Sequence, residues 1–304
     1  MRNFAIGAFD SGLGGLTVVK ELRKALPNEN IVYFGDTGRV PYGSKSEITI
    51  TKYAKEDEAF LIKNNVKLIV AACGTVSSLT VDKPNTLSVP FFEMITPAVK
   101  SAVKATKNKR IGIIGTYATI KSEAHKNKIK ELMPEAFVLG EACPLFVPMV
   151  ENGIIDKNDI VVKEMVKRYL KPIKEAECDT LIMGCTHYPI LESAFNEYLE
   201  GKVTLINPGE MLAKTVKEYL TENNLLNDSG CKKGLENECK IGLKNYGNNK
   251  NSERSNELKQ GIEKTGRIEY FVSDKPDSFM KQALILLGEE ASGDITKIDI
   301  EKEK

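Results

Sequence analysis

"LIVAACGTVSS" (Leu68–Ser78) and "LIMGCTHYP" (Leu181–Pro189) are two versions of one unit: an apolar run, then a cysteine, then a threonine within two places. Neither run alternates with polar residues. A strand that is apolar at every position is buried on both faces, the condition of a parallel sheet covered by helices. The same reading applies to 4–9, 31–36, 67–72, 89–93, 110–115, 180–184, 203–207 and 267–272. Helical patterns lie between these runs. Leu16, Val19, Leu22 and Leu26 recur at helical spacing, and Ser44 with Glu47 has the spacing of a capping box ahead of a second helix. Alternating strands and helices predict an α/β fold.

The repeated unit also suggests a repeated architecture. Gly7 lies 66 residues before Cys73, and Gly112 lies 73 residues before Cys185. Two similar α/β lobes with mainly parallel sheets, related by a pseudo-two-fold, are therefore expected, with a site in the cleft between them. The first lobe is read as 1–97 plus 208–288 and the second as 98–207. Residues 227–266 are rich in Asn, Lys, Glu and Gly and poor in large apolar groups, so they read as a flexible insertion with Cys231 and Cys239 as bystanders. Residues 289–304 read as a loose tail.

Composition narrows the class. The chain has 304 residues, 28% of them charged, and a net charge of only +1, so no strong field favours nucleic acid or an anionic membrane. No apolar run approaches the roughly 20 residues that span a bilayer, and the N-terminal segment lacks a secretory signal pattern. A cytoplasmic protein with reduced thiols is expected. No C-x-x-C pair occurs and only two histidines exist, His125 and His187, so the spacing gives no support to a metal site.

Parallel sheets form sites beyond the carboxyl ends of their strands. That rule brings Asp10 and Ser11, the "VPYGS" loop with Tyr42, Gly43 and Ser44, Cys73 with Gly74 and Thr75, Thr116, and Cys185 with Thr186 and His187 to the strand ends. A lone cysteine at such a place is ordinarily a small buried residue. Two of them in matching contexts suit a different chemistry: one thiolate removes a proton from one face of a carbon while a thiol returns one to the other. Asp10 is the candidate partner of Cys73, and His187 of Cys185. Glu151 is a weaker candidate, and Asp10 is also a candidate helix N-cap. The Gly-rich "GAFDSGLGGLT" loop lacks the lysine of a P-loop, and Thr17 breaks the G-x-G-x-x-G frame that starts at Gly12, so neither nucleotide signature applies.

"AFDSGLGGLTV", "YFGDTGRVPYG", "ACGT", "CPLFVPMVE" and "GCTHYP", in this order, resemble the cofactor-independent aspartate/glutamate racemase family, on its glutamate side. The resemblance implies interconversion of L- and D-glutamate without pyridoxal phosphate or metal, D-glutamate for peptidoglycan and hence cell shape, and a homodimer. It implies Cys73 and Cys185 as the two acid–base thiols, Asp10 assisting the first, and Glu151 and His187 assisting the second. It places Asp10, Ser11, Tyr42, Gly43, Gly74, Thr75, Thr186 and His187 at substrate contacts, with Thr116 and Thr119 as further ones. Gly74 departs from the pattern, where an asparagine is usual. The competing readings are a racemase of another acidic amino acid such as aspartate, a non-enzymatic two-lobed amino-acid binding protein, and a hydrolase or decarboxylase using one thiol.

Overall fold

The computed structural model describes residues 2–81, 85–227, 266–287 and 295–302. The proposed insertion, apart from its two edges, lies outside these residues, as do Cys231 and Cys239. The strands are β1 (Ile6–Asp10), β2 (Ile31–Gly35), β3 (Leu68–Ala71), β4 (Phe91–Phe92), β5 (Arg110–Gly115), β6 (Phe137–Ala142), β7 (Thr180–Met183), β8 (Thr204–Ile206), β9 (Ile268–Val272) and β10 (Ile295–Lys297). They form a six-stranded sheet, β10-β9-β2-β1-β3-β4, and a four-stranded sheet, β6-β5-β7-β8, and every pairing is parallel.

The two sheets repeat one topology. Taken in chain order, β1 to β4 lie in the order second, first, third, fourth, and β5 to β8 lie in the same order. Cys73 follows the third strand of one set and Cys185 follows the third strand of the other. The central strands β1, β2, β3 and β7 are buried at every position, as continuous apolar runs require.

Helices cover both faces of each sheet. On the first, α1 (Leu16–Ala25), α10 (Pro208–Glu222) and α11 (Pro276–Leu287) pack Leu16, Val19, Leu22, Leu212, Val216 and Phe279 against Ile6, Ala8, Tyr33, Leu68 and Val70. On its other face α2 (Glu47–Lys63) sets Ile50, Ala54, Phe60 and Leu61 against Phe9, Phe34, Ile69 and Ala71. On the second sheet α7 (Phe146–Glu151), α8 (Ile160–Glu175) and α9 (Glu192–Tyr198) cover Leu181 and Met183. Its opposite face is covered by α4 (Ile95–Ala105) and α6 (Ala124–Leu132), which meet Ile111, Ile113, Ile182 and Ile206. The chain thus crosses to the second sheet between β4 and α4. It returns between β8 and α10, where Asn207 caps the helix by accepting from the Gly209 and Glu210 amides.

Three local expectations need correction. The cap of α2 is Ser46, whose side chain accepts from the Thr49 amide; Ser44 ends a short 3-10 turn over Tyr42–Ser44. Strand β6 was not expected, because it is an edge strand whose Gly140 and Glu141 interrupt the apolar run and whose residues are half-buried or exposed. The tail expected to be loose contains β10, which pairs with β9 and is followed by Ile300, buried in the core beside α2. Short, half-exposed edge strands carry little hydrophobic signal of their own.

Candidate active site

The carboxyl ends of both sheets face one cavity of about 570 Å³. β1 delivers Asp10, Ser11 and Gly12, and β3 delivers Cys73, which caps the short helix α3 (Gly74–Thr80), with Gly74 and Thr75 beyond it. β5 delivers Thr116, while β7 delivers Cys185, Thr186 and His187. The turn after β2 contributes Val40 to Ser44, and α7 contributes Glu151.

On the first side, Cys73 is 4% exposed, and its thiol donates to the Ser11 hydroxyl at 3.7 Å. Burial, reinforced by the neighbouring Asp10 carboxylate, pushes the thiol up to about 12, so Cys73 rests protonated. Asp10 is buried and fixed by its own loop: its Oδ2 accepts from the Gly12 amide at 3.1 Å and the Gly15 amide at 3.0 Å. Burial raises the Asp10 pKa; His187, these amides and a bond with Cys73 oppose that rise without cancelling it. The residue that caps α1 is Gly15, so Asp10 holds the glycine-rich loop rather than serving as the N-cap.

On the second side, Cys185 Sγ lies 3.8 Å from His187 Nδ1, and His187 Nε2 lies 3.1 Å from Glu151 Oε1. Burial alone would push the imidazolium pKa down. Hydrogen bonds to Cys185 and Glu151, and the charges of Cys185 and Asp10, outweigh it and hold His187 up at about 10. At neutral pH the ring is therefore a cation that donates Nδ1–H toward sulfur and Nε2–H to the carboxylate.

The two sides touch. Thr17 Oγ1 donates to the Thr186 carbonyl at 2.8 Å, and the Thr75 and Thr116 hydroxyls meet at 3.2 Å. A Cβ on Gly14 would fall 2.5 Å from the His187 ring, so only glycine lets this loop lie against the imidazole.

The 40–44 turn is braced from behind. Arg39 donates Nε–H to Asp36 Oδ2 at 2.6 Å and NH2 to Asp57 Oδ1 at 3.0 Å, makes a third pair with Glu56, and stacks over Tyr53 with its Cζ 4.0 Å from the ring centre. Tyr42 donates to Asp36 and lies 3.1 Å from Asp57 Oδ2. Burial, then the adjacent Asp36, raises the Asp57 pKa well above the usual carboxylate range, against the opposing charge of Arg39.

All of Cys73, Cys185, Asp10, Glu151, His187, Ser11, Tyr42, Gly43, Gly74, Thr75 and Thr186 line the cavity, as does Thr116. Thr119 does not; it bonds to Thr116 at 2.9 Å and steadies it from below. Cys143 and Cys178 are buried and do not line the cavity. The residues that strand-end reasoning missed form the apolar wall: Val40, Pro41, Tyr117, Pro144, Val147 and Pro148. The last three precede Glu151 at helical intervals, so the 3.6-residue period of "CPLFVPMVE" was the signal that could have found them. Among the described residues no cluster of three or more His, Cys, Asp or Glu is placed to hold a metal ion, and no helix is long and apolar enough to cross a membrane.

Fold and site together define a two-lobed α/β enzyme whose pocket receives one thiol from each lobe. The sequence pattern of the Asp/Glu/hydantoin racemases matches residues 16–216. A glutamate racemase of Geobacter metallireducens is 39% identical over 301 residues, 99% of this chain and 98% of that protein. One from Chlorobaculum tepidum is 46% identical over 226 residues, 74% of this chain and 82% of that protein. The crystal structure of Francisella tularensis glutamate racemase in complex with D-glutamate superposes with a TM-score of 0.80 at 32% identity, covering 99% of this chain and all of that one. The chain belongs to the Asp/Glu/hydantoin racemase family. It is an amino-acid racemase, an isomerase.

Proposed function

We propose that this racemase interconverts L- and D-glutamate by two-base proton transfer at Cα, with Cys73 and Cys185 as the bases. The observation that carries the proposal is the unequal environment of the two thiols on one cavity. Cys73 is held as the thiol, and Cys185 sits against the His187 cation. In one direction the Cys185 thiolate takes the α-proton: the Cα–H bond breaks and an S–H bond forms, leaving a carbanion conjugated with the α-carboxylate. Cys73 then gives its proton to the opposite face, so its S–H bond breaks and a new Cα–H bond forms. The thiol and thiolate have exchanged places, and the reverse reaction starts from that state. Asp10 and the His187–Glu151 pair take up the charge shift at either sulfur.

Glutamate as substrate is supported by the relatives named glutamate racemase and by the bound D-glutamate in the Francisella tularensis structure. In the cell the product D-glutamate would feed peptidoglycan synthesis in the cytoplasm. The catalytic unit is proposed to be 1–97 with 208–288 closing on 98–207, and the assembly a homodimer, which sedimentation velocity checks. The direct test of activity is polarimetry of the purified protein with either glutamate enantiomer. Both solutions are expected to reach zero rotation. Zero change with glutamate but racemisation of aspartate would reassign the substrate, and inactivity with both would overturn the reading.

A further inference from the structure

Gly74 follows Cys73 immediately, and Gly184 precedes Cys185 immediately. A Cβ built on Gly74 would fall 2.3 Å from the Gly184 carbonyl oxygen, 3.3 Å from its carbon and 3.5 Å from the Cys185 Cα. The backbones that carry the two thiols therefore touch directly, one at the end of β3 and the other at the end of β7. Gly74 has no left-handed backbone angle, so its identity answers to space rather than to φ. The obstacle is a main-chain carbonyl, which no rotamer change can remove. Gly184 is itself confined, because a Cβ there would lie 2.8 Å from the Ile114 carbonyl on the neighbouring strand β5.

We infer that Gly74 is a positioning residue: its missing side chain lets the two cysteine-bearing corners meet, and this contact sets the separation of Cys73 and Cys185 in the closed cleft. Glycine here does not enlarge the pocket, because the Gly184 carbonyl occupies the place a side chain would take. Any Cβ has to push the corners apart by roughly 1 Å to reach ordinary contact, a displacement that costs on the order of a hundredfold in a reaction that depends on placement. The inference rests on the two-thiol reading for its kinetic consequence but not for its structural one.

Two variants, Gly74→Ala and Gly74→Asn, separate the possibilities. Both are expected to lower kcat by about a hundredfold with a smaller change in KM. Both should also raise the rate at which iodoacetamide alkylates Cys73 and Cys185 several-fold, since those residues are only 4% and 7% exposed. Were Gly74 merely a lost amide contact, Gly74→Asn would lower KM, Gly74→Ala would be near neutral, and neither would change alkylation. That result overturns the inference. The alkylation arm decides it even if the parent protein fails to turn over glutamate, a failure that would count against the proposed function alone. If both variants fail to fold, hydrogen exchange of the parent decides: the first-turn amides at 74–76 and those at 184–186 should be protected together. Loop-like exchange at either corner contradicts the contact.

Discussion

His187 Nε2 lies 3.1 Å from Glu151 Oε1, across 36 residues of sequence and between β7 and α7. The carboxylate fixes one ring nitrogen, so the other is aimed at Cys185. The ring thus links the Glu151 carboxylate to the Cys185 sulfur.

Glu151→Gln keeps the shape and removes the charge. It is expected to lower kcat by about ten- to a hundredfold, at the low end of what a positioned acid–base group contributes. Because Glu151 serves only one of the two thiols, the slowing of proton abstraction by Cys185 should exceed that by Cys73. Primary deuterium isotope effects measured separately from L- and D-glutamate check this, and equal changes in both directions would count against it.

His187 gives the pH dependence. Its value in the fold, about 10, lies above the ordinary 6.5. The cation is complete through neutral pH and is lost as pH rises through about 10, and kcat should fall on that limb. The stability it contributes is likewise full below 6.5 and disappears between 6.5 and 10. In Glu151→Gln the alkaline limb should move to lower pH. A kcat profile from pH 7 to 11 on both proteins reads the shift.

His125 has the opposite sign. It is buried in α6, its Nδ1 has no hydrogen-bond partner among the described residues, and burial pushes it down to about 4. The unfolded chain takes up a proton near 6.5 and the native one does not, so stability falls as pH drops from about 6.5 to 4. The loss is roughly 3 kcal/mol, set by that difference. Urea midpoints at pH 7 and pH 4.5 should show the loss in the parent and its absence in His125→Leu.

Arg39 braces the turn that carries Tyr42 and Gly43. A lysine cannot make three directed bonds and stack on Tyr53 at once. Arg39→Lys should therefore raise KM for glutamate, by about tenfold, more than it lowers kcat. Steady-state kinetics test this, and a loss confined to kcat would place the network's effect on the thiols instead.

Much of this was legible because parallel sheets bury their strands completely. Every long apolar run became a strand, and the two strand–Cys–Thr units landed at equivalent positions of two sheets with one strand order. The polar lining followed from the rule that strand ends make sites. What escaped were features without that signal. The edge strands β6 and β10 are half-exposed, so their patterns are diluted by Gly140, Glu141 and Lys297. The apolar wall comes from the 40–44 turn, from one face of α7, and from Tyr117 and Pro144, which follow β5 and the unexpected strand β6 by two residues but carry no polar group that marks a site. The bracing of Tyr42 by Arg39, Asp36 and Asp57 depends on side chains from α2 that meet only in three dimensions.

Two thiols, each required, are the core of the proposed chemistry. The measurement is loss of optical activity from L- and from D-glutamate in deuterium oxide, with α-deuterium followed in parallel, for Cys73→Ala and Cys185→Ala. Each single variant should lose racemisation by at least about a thousandfold in both directions while keeping the parental circular dichroism. Either variant racemising glutamate at the parental rate would contradict the assignment of one base to each lobe.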